Sequence, residues 1–345
     1  MSPPSMDEAA LPASFGRTTS LGDALAICQG RNQAQAILAR GSKSFALAGM
    51  LLGAGIRQDA AVLYAWCRLA DDRVDLVPGT DRLKAVAELR CELDAIYDGR
   101  VREPILIAMQ ALVVRTRLPR AYLDALLDGF AMDAEGTRYA SAVALDLYAY
   151  RVAGVVGLMM CHVMGVRDGR CVPRAAHLGM AMQLTNICRD VAEDWRAGRQ
   201  YLPLDQVGPD ELRAADQDDA GADGGARIVI ARAVSGLLDR ADAYYESGML
   251  GLRDLGWRNA LAIGAAARIY RAIGRRIGRR IARRRFDPFA GRAVVSVSTK
   301  LGLVLVSAFS LLLDLPRRWR AGKRGLQLPR TMITTVRYGD VQITG

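Results

Sequence analysis

Histidine is nearly absent from this 345-residue sequence, which holds only His162 and His177. Its six cysteines, at positions 28, 67, 91, 161, 171 and 188, form no C-x-x-C pair. Together these shortages argue against a structural zinc site and make reduced thiols the simplest expectation. The longest apolar run, near LGLVLVSAFSLLLDL (301–315), stops short of the ~20 residues that span a bilayer. Alternating strand patterns are also scarce; VVSVS (294–298) and TMITTV (331–336) are the only candidates, and both are weak. Aromatic residues are not interleaved with the basic clusters, and no zinc finger or RNP-like stretch occurs, so nucleic acid is not an expected partner. The opening MSPPSMDEAALPASFGRTTS lacks a basic-then-apolar leader. It reads as a disordered arm over residues 1–20, and a cytoplasmic location is expected.

What the sequence does contain is helical period. AAVLYAWCRLADD, AVAELRCELDAIYDG, AYLDALLDGFAMDAEG, DLYAYRVAGVVGLMMCHVMG and RAAHLGMAMQLTNICRDVAEDW are rich in Ala, Leu and Met at three- and four-residue steps. Proline and glycine separate these stretches, and the expected fold is all-α with ten or more helices. The glycine-rich acidic segment DQDDAGADGGA (216–226) reads as a surface loop. No linker suggests a second domain, so residues 21–315 are expected to fold as one unit, followed by a basic tail over 316–345. The net charge of +11 is concentrated in RAIGRRIGRRIARRR (271–285) and PRRWRAGKRG (316–325). Such clusters suit a polyanionic substrate or an anionic membrane surface, and peripheral attachment to the inner membrane is expected.

One short pattern recurs. Asp71 and Asp75 lie in YAWCRLADDRVD (64–75), and Asp190 and Asp194 in QLTNICRDVAEDWRAGRQYLP (183–203), with Asn186 one further step of four back. Residues four apart on a helix lie about 40° apart around the axis and about 6 Å along it, so like charges there repel. Arg68 and Arg189 stand beside the acids and could neutralise them alone. The second reading is a metal site: carboxylate and amide oxygens without histidine or cysteine are hard ligands suited to Mg²⁺ or Mn²⁺. Magnesium is usually completed by phosphate oxygens, so a diphosphate substrate is implied, with the arginines as its clamps.

SKSFALA (42–48), YAWCRLADDRVD, YAYRVAGVVGLMM (148–160), QLTNICRDVAEDWRAGRQYLP and the segment from Tyr270 to Lys300 occur in the order and spacing of one family. The chain resembles the squalene/phytoene synthase family over about residues 35–315. That resemblance implies a single all-α isoprenoid synthase (prenyltransferase) bundle with a central cavity between two acidic helices. It implies metal binding by Asp71, Asp75, Asn186, Asp190 and Asp194, supported by Asp72. It assigns diphosphate binding to Ser42, Lys43, Ser44, Arg68, Gln183, Arg189, Tyr270, Arg292 and Lys300, and places Tyr64 and Tyr148 against the reacting carbons. The tail pocket would be formed by Phe45, Gly49, Val152, Ala153 and Val156.

The implied chemistry is head-to-head condensation of two prenyl diphosphates through a cyclopropylcarbinyl diphosphate. Small residues after Ser44 favour twenty-carbon over fifteen-carbon donors. No G-x-G-x-x-G follows a strand, the nearest match being GAGIRQ (53–58). That absence carries little weight by itself, but with the likeness of VAGVVGLMM and YAWCR to the phytoene-making members of the family it leans the expected product to a non-reduced, phytoene type made without NADPH, with downstream carotenoid enzymes as potential partners. Squalene or dehydrosqualene synthesis from farnesyl diphosphate is the alternative. Chain-elongating synthases fit less well, because Asp75 is followed by LVPGT rather than paired arginines. A non-catalytic membrane- or nucleic-acid-binding protein would explain the basic clusters but not the acidic pairs.

Overall fold

Apolar residues at helical spacing fold here into a bundle of fourteen α-helices among the described residues. The computed structural model describes residues 21–166, 172–217, 224–283, 287, 289, 292–293, 295–323, 335–338 and 341–344. The arm expected at 1–20 lies outside them, as does most of the acidic loop at 216–226. In chain order the helices are α1 (Leu21–Gly41), α2 (Lys43–Gly49), α3 (Ala54–Asp75), α4 (Arg82–Asp98), α5 (Pro104–Thr116), α6 (Arg120–Ala134) and α7 (Ala142–Ala149). A π-helical turn at Tyr150–Gly154 leads into α8 (Val155–Val163). Then follow α9 (Val172–Arg189), α10 (Val191–Arg196), α11 (Pro209–Gln217), α12 (Gly224–Gly251), α13 (Trp257–Ala282) and α14 (Val297–Lys323).

The long helices α3, α9, α12 and α13 form the walls that matter for function. Each turns an Ala-, Leu- or Ile-rich stripe inward; Ala61, Leu63, Trp66, Met180, Leu184, Leu237 and Ile269 are essentially inaccessible. Small residues let two walls approach closely. A Cβ at Gly179 of α9 would lie 2.1 Å from the Ala153 carbonyl oxygen, so only glycine permits this contact with the π-helical turn. Buried Asp146 of α7 is held by the Arg240 guanidinium and by the Tyr244 hydroxyl at 2.7 Å, tying α7 to α12 through a fully paired charge.

Several sequence expectations change in detail. VVSVS forms no strand: residues 295–296 are irregular and α14 begins at Val297. Two short antiparallel strands do occur, β1 (Thr335–Tyr338) and β2 (Val341–Thr344); β1 takes in Thr335 and Val336 of TMITTV, whose other residues lie outside the described ones. Helix α14 continues through Pro316 to Lys323, past the boundary expected at 315. Among the described residues one stretch, Ala142–Val163, is long and apolar enough to cross a membrane by length and composition, and Ser298–Leu311 is a shorter apolar helix. Half of the longer stretch is buried in the bundle, where it is a core element.

Candidate active site

An apolar cavity of about 540 Å³ runs between these walls. Its lining on α3 extends from Arg57 to Asp71, fourteen residue steps or about 21 Å at 1.5 Å per step. One end is polar, formed by Ser42, Tyr64, Arg68, Asp71, Asp133, Tyr148, Gln183, Asn186 and Tyr270. Apart from Arg57, the rest is walled by Ala, Gly, Leu, Ile, Met, Val, Phe and Cys, and includes all five expected tail-pocket residues, Phe45, Gly49, Val152, Ala153 and Val156.

The polar end is where the two acidic motifs meet. Helix α3 delivers Asp71 and Asp75 at its C-terminus, and α9 delivers Gln183 and Asn186. The regular helix breaks at Asp190, which leaves helical geometry at φ −107° and caps α10. The i→i+4 backbone bonds still cross the break, from Asp190 N to Asn186 O and from Asp194 N to Asp190 O, both at 2.9 Å. The expected stack of Asn186, Asp190 and Asp194 therefore survives on a kinked rather than a straight helix. Gly198 at φ +79° then ends α10, so the helix stops before Pro203. This turn aims Arg199 back across the site, where its guanidinium donates to Asp75 at 2.8 Å.

Asp71, Asp72, Asp75 and Asp190 are each met by arginine. Arg189 binds Asp190 through two contacts of 2.8 and 2.6 Å, and Arg292 reaches the same carboxylate at 2.8 Å and Glu193 at 3.3 Å. Arg68 pairs with Asp72 at 2.6 Å and with Asp71 at 3.6 Å. Neutralisation by arginine and a role in ligand binding thus coexist. The compensation is incomplete. Burial, with Asp75 alongside, pushes the Asp71 carboxyl up to about 6 despite Arg68. Burial, with Asp190 alongside, pushes Asp194 up to about 7 despite Arg199.

Among the described residues no three His, Cys, Asp or Glu side chains converge closely enough to enclose a metal ion. The donor set nevertheless fits a hard divalent cation. All the donors are oxygens, and Asn186 Oδ1 is buried without a hydrogen-bond partner. A divalent cation would relieve the repulsion among acids held this near one another.

The remaining expected residues separate into two groups. Ser42 caps α2, accepting from the Phe45 amide at 3.2 Å, and Tyr270 stacks on Phe45 at 5.3 Å. Tyr64 packs edge-on against Phe45 at 6.2 Å. Lys43, Ser44 and Lys300 do not line the cavity: Lys43 is exposed on the first turn of α2, and Lys300 opens α14. Helix α2 turns Ser42 and Phe45 towards the cavity instead.

Three functional residues were missed from sequence. Asp133 of α6 accepts from the Tyr148 hydroxyl at 2.8 Å and the Tyr201 hydroxyl at 2.7 Å, and those two oxygens lie 3.1 Å apart. Burial pushes Asp133 up to about 6, against the pull of both phenols, and raises Tyr148 well above the usual phenol range. Arg199 is the third. A signal for Asp133 existed: it continues the buried stripe Leu123, Leu126, Leu127, Phe130, where an acid has no reason to be unless it has partners.

A helical bundle around an apolar cavity, with two facing acidic helices at one end, defines the isoprenoid synthase class. The squalene/phytoene synthase family model matches residues 38–299. The 15-cis-phytoene synthase of Paracoccus sp. (strain N81106 / MBIC 01143) is 41% identical over 290 residues, covering 79% of this chain and 89% of its own. The phytoene synthase of Rhodobacter capsulatus is 41% identical over 281 residues, 79% of each chain. Among solved structures, a dehydrosqualene synthase in complex with ligand superposes with a TM-score of 0.71 at 26% identity, over 84% of this chain and 99% of that one. The chain belongs to the squalene/phytoene synthase family.

Proposed function

We propose that this enzyme is a prenyltransferase that joins two geranylgeranyl diphosphates head to head, giving phytoene, the first committed step of carotenoid synthesis. The observation that carries this reading is the union of a polar, acid-bearing end with an apolar cavity whose α3 wall is about 21 Å long. A linear tail of four isoprene units fits that length with its diphosphate at the acidic end. The names borne by the relatives at about 40% identity support the same product.

Asp71, Asp75, Asn186, Asp190 and Asp194 would hold Mg²⁺ or Mn²⁺. The bound ion would neutralise the diphosphate as its C–O bond breaks. Arg68, Arg189, Arg199 and Arg292, already poised on the acids, supply donors for the departing diphosphate. Phe45, Tyr64 and Tyr270 form an aromatic wall beside the developing allylic cation, and their packing excludes water that would trap it as an alcohol. The second substrate's 2,3-double bond captures the cation, and loss of a proton from that substrate's C1 closes the ring of a cyclopropylcarbinyl diphosphate, which loses its own diphosphate in turn, rearranges and sheds a second proton.

Tyr148 stands at the polar end with its hydroxyl donated to Asp133, so this pair can relay that proton towards released diphosphate. Tyr148→Phe removes the relay and leaves the ring in place. Turnover of geranylgeranyl diphosphate should fall with binding retained; full turnover in this variant would remove the tyrosine from that role. Diphosphate release measured with and without Mg²⁺ tests the class of reaction: release independent of divalent ions would overturn the metal assignment.

A further inference from the structure

Helix α1 ends in a glycine that its own backbone does not require. Gly41 is not among the glycines of positive φ, so it is no left-handed cap, and its conformation is open to any residue. The chain leaves it through an ordinary helical bond from the Ser42 amide to the Leu38 carbonyl at 3.1 Å. Glycine is less favourable than alanine in a helix. What requires the bare Cα is therefore a neighbour from elsewhere in the sequence.

That neighbour is Tyr64 of α3. A Cβ on Gly41 would stand 2.4 Å from the Tyr64 hydroxyl oxygen and 3.3 Å from Cε1 and Cζ of its ring. Non-bonded heavy atoms settle at about 3.5 Å, so the phenol would have to retreat by about 1 Å. Phe45 blocks one direction: it meets the ring edge-on at 6.2 Å and is itself stacked on Tyr270 at 5.3 Å. The Tyr64 hydroxyl has no hydrogen-bond partner among the described residues, so packing alone seats it. Gly41, Phe45, Tyr64 and Tyr270 all line the cavity, and the unfilled space beside the ring is that cavity. Arg68 and Asp71, four and seven residues after Tyr64 on the same helix, line it too, so the ring stands at the polar end.

We propose that Gly41 is a positioning residue: its bare Cα is the seat that holds the Tyr64 phenol flush with the cavity wall. A methyl group there drives the ring into space that the reacting carbons occupy and loosens the aromatic wall of Tyr64, Phe45 and Tyr270. The groups that hold the diphosphate, on α3 beyond Tyr64 and on α9, stay where they are. The seat stands on packing alone, while its consequence for the condensation rests on the function proposed above.

The test is a double-mutant cycle between the two positions in the full chain. Gly41→Ala alone should lower the melting midpoint. It should also lower kcat for geranylgeranyl diphosphate about a hundredfold, as a misplacement of about 1 Å does, with KM changed by about twofold or less. Tyr64→Phe deletes the clashing oxygen and leaves ring atoms at 3.3 Å. In that background the further loss of kcat from Gly41→Ala should shrink to about twofold or less. The melting midpoint should then rise, because alanine replaces glycine at an ordinary helical φ. Equal losses from Gly41→Ala in the two backgrounds would overturn the proposal, and so would a Gly41→Ala protein with wild-type midpoint and turnover. The melting arm needs no substrate. Coupled midpoints in a chain that does not turn over geranylgeranyl diphosphate would leave the seat standing and overturn the function proposed above instead.

Discussion

Replacing Gly49 by Phe tests whether cavity length sets the substrate. Gly49 ends α2 one helical turn beyond Phe45, lines the cavity, and has no atom within 4 Å of where its Cβ would stand. A phenylalanine there enters open cavity rather than packed core, and it sits at a helix end, so folding should be unaffected. The ring then occupies space that the last isoprene unit of a twenty-carbon tail requires. That unit has five carbons, each contributing about 0.8 kcal/mol when buried, so its exclusion costs up to about 4 kcal/mol. At 1.4 kcal/mol per decade this is up to roughly a thousandfold in kcat/KM for geranylgeranyl over farnesyl diphosphate. The assay is competition between the two substrates, with products separated by chromatography. Gly179→Ala is the control: its Cβ would lie 2.1 Å from the Ala153 carbonyl, so it should lower the melting midpoint without changing preference. A wild-type product ratio in a well-folded Gly49→Phe variant would refute the argument.

Three further outcomes are expected. Asp133→Leu strips the acceptor from the Tyr148 and Tyr201 hydroxyls, and at about 1–3 kcal/mol for each stranded donor it should cost about 2–6 kcal/mol in denaturant unfolding; unchanged stability would show the network to be incidental. Arg199→Gln frees Asp75 from its 2.8 Å partner, so Mg²⁺ should bind the substrate-free protein more tightly in calorimetry, and weaker binding would mean that Arg199 positions the acids instead of competing for them. Asp71 and Asp133 are raised to about 6 and Asp194 to about 7 from an ordinary value of 3.8. With folded values above unfolded ones, the native state holds extra protons across that window. These three groups should therefore make the chelator-treated protein lose stability as pH rises from about 4 to about 7, whereas Mg²⁺-dependent turnover, which needs the ionised acids, should rise; melting curves that climb over the same window would contradict the sign.

The paired acids were legible in the sequence because a helix converts a spacing of four into one face, and two such pairs among apolar helices demand a cation. The cavity end they share was legible only through family resemblance. Arg199 was invisible for the reason that makes it useful: a glycine turn carries it to Asp75, 124 residues away in sequence. Asp133 carried a signal, an acid on a buried stripe, that went unread because its partners Tyr148 and Tyr201 belong to other segments. Proline misled at residue 316, where α14 continues despite the lost backbone donor. The π-helical turn at Tyr150–Gly154 has no residue pattern that announces it, yet it sets Val152 and Ala153 in the cavity wall.

The most direct measurement of the central claim is product identification. The purified chain is incubated with geranylgeranyl diphosphate and Mg²⁺ as sole additions, and the lipid extract is analysed by chromatography and mass spectrometry. The account predicts a forty-carbon triene-conjugated hydrocarbon, phytoene, formed without NADPH and absent when Mg²⁺ is chelated. Products only from farnesyl diphosphate, a reduced hydrocarbon that requires NADPH, or an undiminished yield in chelator would contradict it.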